Sequence, residues 1–174
     1  MNHTLLLLVA SLLLVGCATR NPPSTVSYVD LDRFMGDWYV IGGNLTWFER
    51  DAYHAIENYR LDEKGRIPTT FTFRRGGFDG PEKTYRSMAF VHDRESNAEW
   101  RIQFFWPVRF PYLVVYLDPD YQATAISTDD RKYLWIMSRT PQLREDLRLE
   151  IMQTLEEKGF DTSAFVTVPQ PESP

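Results

Sequence analysis

The sequence predicts an all-β protein: an eight-stranded, antiparallel up-and-down barrel with one C-terminal α-helix packed outside it. Three observations support this prediction. Aromatic residues make up 14 % of the chain and recur in short stretches where apolar and polar residues alternate, which is typical of half-buried strands. Turn-forming residues separate these stretches by connections too short for parallel crossovers. Only one segment, near the C-terminus, has helical spacing.

The predicted strands follow one another along most of the chain. In the first strand, Trp38, Val40 and Gly42 would share one face. The other seven strands are Tyr53–Asp62, Ile67–Arg75, Thr84–His92, Glu99–Phe105, Tyr112–Asp118, Tyr121–Thr128 and Tyr133–Arg139. The breaks between them carry turn chemistry, as in Asp62-Glu63-Lys64-Gly65 and Asp118-Pro119-Asp120.

The interior of an eight-stranded barrel is either filled by side chains or able to hold one small ligand. Trp100, Ile102 and Phe104 would share one face of their strand. Ser87 and Ala89 are small at positions where a filled core would need bulk. These two residues favour a cavity.

The predicted helix begins at Thr140-Pro141, with Thr140 as the N-cap and Pro141 in the first turn. Four apolar residues then recur every four positions, and Gly159 ends the helix; they are Leu143, Leu147, Ile151 and Leu155. The opposite face is charged, so the helix is expected to pack on the outside of the sheet. A short strand is predicted after it, at Phe165–Val168.

The N-terminus has the layout of a secretory signal. The apolar run Leu5–Val15 is shorter than the ~20 residues that a membrane-spanning helix needs, and it ends in small residues. Leu14-Val15-Gly16-Cys17 resembles the bacterial lipobox, whose cysteine becomes the lipidated first residue of the mature chain. Met1–Thr4 departs from the usual pattern because it contains no Lys or Arg. The residue after the cysteine is Ala18. By resemblance to bacterial sorting rules, an Asp at this position would favour retention at the inner membrane, so Ala18 implies the outer membrane.

The sequence therefore divides into four parts. Residues 1–16 are predicted to be a signal peptide, and residues 17–27 the lipidated Cys17 with a proline-stiffened linker. One domain is predicted over residues 28–168, followed by a disordered tail at residues 169–174. Cys17 is the only cysteine, so lipidation leaves no thiol for a disulfide, and stability must come from a hydrophobic core.

The net charge is −5 and the isoelectric point is about 5.2. Nucleic-acid binding requires a basic face, so nucleic acid is excluded as an expected partner. The acidic balance also argues against strong electrostatic attraction to anionic lipid surfaces.

Three short motifs, in order, resemble the lipocalin signatures: Gly36-Asp37-Trp38-Tyr39, Asp118-Pro119-Asp120-Tyr121 and Ser138-Arg139-Thr140. The run from Tyr133 to Pro141 is especially similar to the bacterial lipocalins that are outer-membrane lipoproteins. The resemblance implies that Gly36, Trp38, Tyr121 and Arg139 are structural. Trp38 would close the barrel floor, and Arg139 would stack on Trp38 and bond backbone near the start of the domain.

The resemblance also implies a function without cofactors or metals. A lipid-anchored lipocalin facing the periplasm would bind one amphiphile, such as a fatty acid or a lysophospholipid. It would store or transport this ligand for envelope maintenance. The inner leaflet of the outer membrane would be its partner through the lipid anchor, and a homodimer is a further expected possibility.

In this family the ligand enters at the barrel end opposite Trp38. The loops expected there are 44–51, 74–81, 105–111 and 128–131, and they contain several large rings beside arginines. Such a set suits an acyl chain with an acidic head group. The predicted ligand-binding residues are Trp47, Phe48, Glu57, Tyr59, Phe78, Trp106, Arg109, Phe110 and Tyr112. Alternatively, the rings fold inward as a plug or form a dimer surface.

Glu57 departs from the expected pattern. By alternation with Tyr59 it falls on the face that the family turns inward, where relatives often have Ala. A buried carboxylate must be paired or protonated, so Glu57 would meet a ligand head group or an internal arginine. The alternatives are that Glu57 lies in water near the mouth or that the predicted register is wrong by one residue.

Two other classes of function remain open. The first is a protein-interaction module, which a filled barrel would favour. The second is a lipid-modifying enzyme on the same barrel, although the mature chain has only His54 and His92 and no Gly-x-Ser-x-Gly motif. The paired acids at Asp118/Asp120 and Asp129/Asp130 lie at predicted turns, where Asp is expected for backbone reasons. No enzyme activity is therefore predicted.

Overall fold

The computed structural model describes residues 21–172. The predicted signal peptide of residues 1–16 and Cys17 lie outside the described residues. The helices are α1 (Leu31–Phe34) and α2 (Glu145–Glu157). The strands are β1 (Gly36–Asn44), β2 (Ala52–Tyr59), β3 (Arg66–Arg75), β4 (Glu82–Val91), β5 (Glu99–Phe105), β6 (Val108–Leu117), β7 (Ala123–Ser127), β8 (Leu134–Ser138) and β9 (Val166–Thr167).

Strands β1 to β8 form a closed antiparallel barrel in which each strand pairs with the next in sequence. The barrel closes because β1 pairs with β2 on one side and with β8 on the other. Gly43 allows a close approach of β1 to β8, since a Cβ there would lie 1.8 Å from the Leu134 carbonyl oxygen. β9 pairs with β1 outside the barrel. The predicted fold class is confirmed.

The two ends of the barrel differ. At the floor end, α1 places Phe34 beneath the barrel, where its ring lies 5.1 Å from that of Trp38 and 5.3 Å from that of Trp100. Asp30 caps α1 by accepting from the backbone N–H groups of its first turn. The opposite end, here called the mouth, carries the connections at 45–51, 76–81, 106–107 and 128–133.

Two apolar clusters stabilise the domain. The first fills the lower barrel and includes the floor rings. The second lies between α2 and the outer face of β6, β7 and β8, where Leu147, Ile151 and Leu155 are buried. This confirms that the helix packs outside the sheet. Within the described part of the chain, no helix is both long and apolar enough to cross a bilayer.

The predicted start of α2 was wrong. The helix begins at Glu145 after Arg144, which makes no side-chain cap. Thr140, the predicted N-cap, instead donates its hydroxyl to the Gln142 carbonyl at 2.8 Å in a local turn. Acidic residues in the first turn, Glu145 and Asp146, complement the helix dipole. Gly159 follows the helix with a φ of 77°, as expected for its end.

The described parts of the expected linker and tail, residues 21–27 and 169–172, contact the barrel. In the expected linker, the Val26 N–H donates to the Val114 carbonyl at 2.9 Å, so this segment lies against β6. In the expected disordered tail, the Gln170 amide donates to the carbonyls of Val40 and Ala55 at 2.8 and 3.1 Å. These carbonyls belong to β1 and β2, and the residues of β1 that pair with β2 run only from Gly36 to Tyr39. Gln170 therefore bridges the two strands where their ladder has ended.

Candidate ligand-binding site

A cavity of about 560 Å³ opens at the mouth of the barrel. This volume is within the range of small-molecule sites, about 300–1,000 Å³. Its wall is mainly aromatic and aliphatic, and its apolar lining residues are Val40, Phe48, Phe71, Tyr85, Ile102, Phe104, Phe105, Phe110, Pro111, Tyr112, Tyr133, Trp135 and Met137. The barrel is therefore open rather than plugged, and an apolar chain can be buried in it.

Small side chains on β4 leave this space empty. Ser87 lines the cavity, and Ala89 is fully buried below it. Both face inward because alternate residues of a strand point to the same side. The prediction that these two residues mark a cavity agrees with the structure.

A buried tyrosine pair lies below the cavity. The hydroxyl groups of Tyr59 and Tyr112 are 2.5 Å apart, and both side chains are almost fully buried. Burial raises the pKa of each phenol well above its ordinary value, so both remain neutral. Tyr112 contributes to the cavity wall, whereas Tyr59 lies beneath it in contact with Trp100.

The Glu57 carboxyl group lines the apolar wall. Burial, with a smaller contribution from the charge of Glu49, raises its pKa to about 8. Among residues 21–172, none donates a hydrogen bond to it. Its register opposite Trp38 and Phe71 confirms the predicted inward face and excludes a one-residue shift. The expected internal arginine partner is not found among these residues, so Glu57 is protonated at neutral pH.

Glu49 is a second carboxyl group in the wall. It lies in the β1–β2 connection and is only 6 % exposed. The Thr46 N–H donates to Oε2 at 2.9 Å, and the Trp135 indole N–H donates to Oε1 at 3.1 Å. Burial raises the pKa of Glu49, and these hydrogen bonds partly oppose the shift. Sequence reasoning missed Glu49 because a loop has no alternation to indicate which way a side chain points.

Four of the predicted ligand-binding residues meet in the cavity wall: Phe48, Glu57, Phe110 and Tyr112. Tyr59 lies just below. Trp47, Phe78 and Trp106 are on the rim but outside the lining, with exposures of 80, 44 and 86 %. The Phe78 ring packs instead on Tyr53, 5.4 Å away.

Arg109 was placed wrongly. Its guanidinium carbon lies 3.8 Å from the centre of the Phe90 ring, away from the cavity lining. The segment 105–111 was predicted to be a loop, but β6 begins at Val108. Arg109 and Phe110 are adjacent in this strand, so only one of them can face inward. Lys132, which was not predicted, is the one basic residue among residues 21–172 that lines the cavity.

The floor is closed by Arg139. Its guanidinium carbon lies 3.8 Å from the centre of the Trp38 ring. The same group donates to the carbonyl oxygens of Asp37, Arg33 and Phe34 at 2.8, 2.7 and 3.1 Å. This geometry is the one that the resemblance to lipocalins implied for Arg139 and Trp38. The cation is held by backbone and by an aromatic face, so its role is structural.

Gly36 and Tyr121 support the same closure. Gly36 has a φ of 98°, which favours glycine, and a Cβ there would lie 3.4 Å from an Arg139 nitrogen. The Tyr121 hydroxyl accepts from the Asp30 N–H at 2.8 Å, and Arg33 stacks on the ring at 4.0 Å. Both residues therefore act away from the cavity.

A closed eight-stranded barrel with an open apolar cavity and an arginine-sealed floor defines a lipocalin. Residues 29–170 match the lipocalin-like domain, and the chain belongs to this family. Members of the family are generally proteins that bind small hydrophobic ligands rather than enzymes. Within residues 21–172, no group of three His, Cys, Asp or Glu side chains is arranged to hold a metal ion.

Named relatives are similar over nearly the whole chain. The outer membrane lipoprotein Blc of Escherichia coli strain K12 is 31 % identical over 170 residues, which cover 94 % of each chain. Temperature-induced lipocalin-1 of Arabidopsis thaliana is 30 % identical over 162 residues, covering 86 % of this chain and 83 % of the relative.

Solved structures share the fold. Insecticyanin from the tobacco hornworm Manduca sexta superposes with a TM-score of 0.68 at 18 % identity, covering 86 % of this chain and 85 % of that one. Lobster apocrustacyanin A1 superposes with a TM-score of 0.64 at 16 % identity, covering 87 and 91 %. At these identities the likeness shows the fold alone.

Proposed function

We propose that this protein is a lipid-anchored outer-membrane lipoprotein that binds one amphiphile, a fatty acid or a lysophospholipid, and stores or carries it for envelope maintenance. The observation that carries the proposal is the open apolar cavity of about 560 Å³. Burial of an acyl chain there is worth about 0.8 kcal/mol per CH₂ group. Binding is passive and needs no cofactor.

The proposed location rests on the N-terminal sequence and on the relatives. Cys17 follows Leu14-Val15-Gly16, which resembles a lipobox, and several similar proteins are named outer membrane lipoproteins. Lipidation of Cys17 would supply three acyl chains, enough for stable anchoring. The domain would then face the periplasm.

The acids of the cavity define how the ligand is oriented. Glu49 and Glu57 line the wall, and both have raised pKa values. Glu57 is neutral at neutral pH and offers no positive charge to an anionic head group, whereas Lys132 lines the cavity at its mouth. The acyl chain therefore enters first along the apolar wall, and the head group stays at the mouth near Lys132. This replaces the role that the sequence suggested for Arg109.

The cavity also argues against the alternative of an interaction module with a filled barrel. An exposed aromatic rim alone would fit a protein-binding surface. However, a filled barrel would not leave about 560 Å³ open to the mouth. The ligand-binding function accounts for the cavity.

The test is to purify residues 18–174 without detergent and to identify co-purified small molecules by mass spectrometry. A stoichiometric fatty acid or lysophospholipid is expected. The soluble domain is then titrated with the same lipid while its tryptophan emission, to which Trp135 in the cavity wall contributes, is followed. An empty extract together with no change in emission on adding either lipid would overturn the proposal.

A further inference from the structure

Large aromatic side chains are exposed on opposite sides of the mouth. Trp47 lies in the β1–β2 connection and is 80 % exposed, whereas Phe105 and Trp106 lie at the β5–β6 hairpin and are 61 and 86 % exposed. These three residues are called the aromatic rim. In the strand order of the barrel, β1–β2 and β5–β6 lie across from each other. The rim therefore flanks the cavity opening rather than forming one lateral patch.

Phe105 also lines the cavity, but the two tryptophans of the rim are not explained by it. Trp47 and Trp106 are outside the lining, and Trp47 contacts only the ring of Phe48 among the described aromatic pairs, 5.9 Å away. Tryptophan combines an apolar ring with a polar N–H, which suits the boundary between lipid and water. Side chains of this kind bury apolar area when they enter such a boundary.

The described chain begins at the same end of the barrel. The Asn21 carbonyl accepts a hydrogen bond from Arg131 at 2.7 Å, and Arg131 lies in the β7–β8 connection at the mouth. The Ser24 carbonyl accepts from Lys158 at 2.8 Å, and the Arg131 side chain donates to the Lys158 carbonyl at 3.1 Å. The N-terminal segment is therefore held against the barrel until it reaches the mouth.

Cys17 precedes Asn21 by four residues. Four residues span at most about 14 Å whatever their conformation, at about 3.3–3.6 Å per residue. The ten-residue strand β3 spans about 33 Å at about 3.3 Å per residue. A lipid on Cys17 can thus lie beside the mouth, but the tether is too short to reach the floor end.

We infer that the mouth of the barrel docks on a lipid bilayer through the aromatic rim, so that an amphiphile passes between the membrane and the cavity without crossing bulk water. This inference rests on the proposed lipidation of Cys17. The short tether selects a bilayer, rather than a second copy of the chain, as the occupant of the rim. The net charge of −5 indicates that docking is apolar rather than electrostatic.

The experiment uses the full chain, purified with its own N-terminal modification and reconstituted into phosphatidylethanolamine–phosphatidylglycerol vesicles. A fraction of the lipids is brominated near the ester end of the acyl chains, and bromine quenches nearby tryptophans. Trp47 and Trp106 are expected to be quenched. Trp135 lines the cavity and would report a brominated lipid inside it, so Trp135→Phe is introduced into every protein compared. In that background Trp47→Phe/Trp106→Phe should lose most of the quenching, because Trp38 and Trp100 are buried in the barrel.

A control tryptophan is placed at the floor end. Tyr28 is 57 % exposed, and it precedes Val29, whose N–H bonds Ser96 in the β4–β5 connection. Tyr28→Trp in the double-variant background should add emission that bromine does not quench. Raising the salt from about 0.1 M to about 1 M should leave the quenching of the native chain unchanged, because screening weakens only electrostatic binding.

Mass spectrometry of the N-terminal peptide separates this inference from the proposed anchor. A triacylated Cys17 without quenching of the rim supports the anchor and overturns docking. An unmodified Cys17 with quenching that depends on Trp47 and Trp106 supports docking and overturns the anchor. Equal quenching of the Tyr28→Trp control, or rim tryptophans shielded equally with and without vesicles, would overturn docking. The second result would indicate a dimer.

Discussion

The pKa of the Glu57 carboxyl group is set by the surroundings of the side chain more than by its residue type. It faces an apolar wall, and the neighbouring tyrosines Tyr59 and Tyr112 bond each other rather than Glu57. Burial raises its pKa to about 8 from an ordinary value of 4.5. In the unfolded chain the group would ionise near its ordinary pKa. Folding therefore becomes less favourable as the pH rises between these two values.

The variant Glu57→Gln should remove this dependence. Below about pH 4.5 the wild type and the variant should have similar free energies of unfolding, because Glu57 is then neutral in both states. By pH 8 the variant should be more stable by on the order of 2 kcal/mol, a figure reduced for water in the cavity. Urea denaturation at a series of pH values measures this. An equal slope with pH for both proteins would contradict the assignment.

Two tryptophans at opposite ends of the barrel allow a second comparison. Trp38 is fully buried, stacks with Arg139 and donates its indole N–H to the Phe34 carbonyl at 2.9 Å. Trp38→Ala should cost about 3–5 kcal/mol. Trp106→Ala should change stability by less than about 0.5 kcal/mol, because its side chain is 86 % exposed. Thermal unfolding measures both, and equal melting temperatures would contradict the assigned roles.

At the scale of elements, the alternation of side chains along a strand predicted which face of β4 and of β5 points inward. It also predicted that the Glu57 side chain points inward. It failed at Arg109, because the start of β6 was taken for a loop. The connection between β5 and β6 is only residues 106–107, and no glycine or acidic turn residue marks it. α1 was not predicted either, since its four residues are too few to show a helical period.

Residues 169–171, part of the segment that the sequence assigned to a disordered tail, contact the barrel. β9 pairs with β1, and Gln170 then bridges β1 and β2. A tail rich in proline has few ladder donors of its own, so its composition resembles that of a free end. The hydrogen bonds that hold it come from a side-chain amide and from other strands.

Gln170→Ala should destabilise the domain by about 1–3 kcal/mol, because it leaves the carbonyls of Val40 and Ala55 without these donors. Glu172→Ala is the matched control, since Glu172 is exposed two residues later. Hydrogen exchange should also become faster at the His54 N–H, which donates to the Pro169 carbonyl. Equal stability of the two variants would show that the segment is not needed to close the barrel.

At the scale of the whole molecule, the closed barrel leaves an interior that its side chains do not fill. Ser87 on β4 faces this space, whereas its neighbour Met88 lies outside the lining. A larger side chain at position 87 should occupy the cavity without disturbing the floor. A larger side chain at position 88 should leave the cavity unoccupied.

Ser87→Phe should therefore weaken binding of a brominated fatty acid by about tenfold or more, corresponding to about 1.4 kcal/mol. Met88→Phe, on the opposite face of the same strand, should bind as the wild type does. Quenching of Trp135 by the brominated ligand reports occupancy, because Trp135 lines the cavity. Unchanged binding by Ser87→Phe would mean that the ligand does not lie in the barrel.

The resemblance to lipocalins implied the floor made by Trp38 and Arg139 and the end of the barrel that opens. The sequence by itself determined the eight strands and the outer helix. These follow from local patterns, since strand alternation and turn chemistry act between residues that are close in the chain. Only the tertiary structure decided that Glu49 turns inward, that Arg109 turns outward, and that residues 169–171 complete the barrel. Each of these depends on contacts between distant segments: Glu49 bonds Trp135, Arg109 stacks on Phe90, and Gln170 bridges β1 and β2.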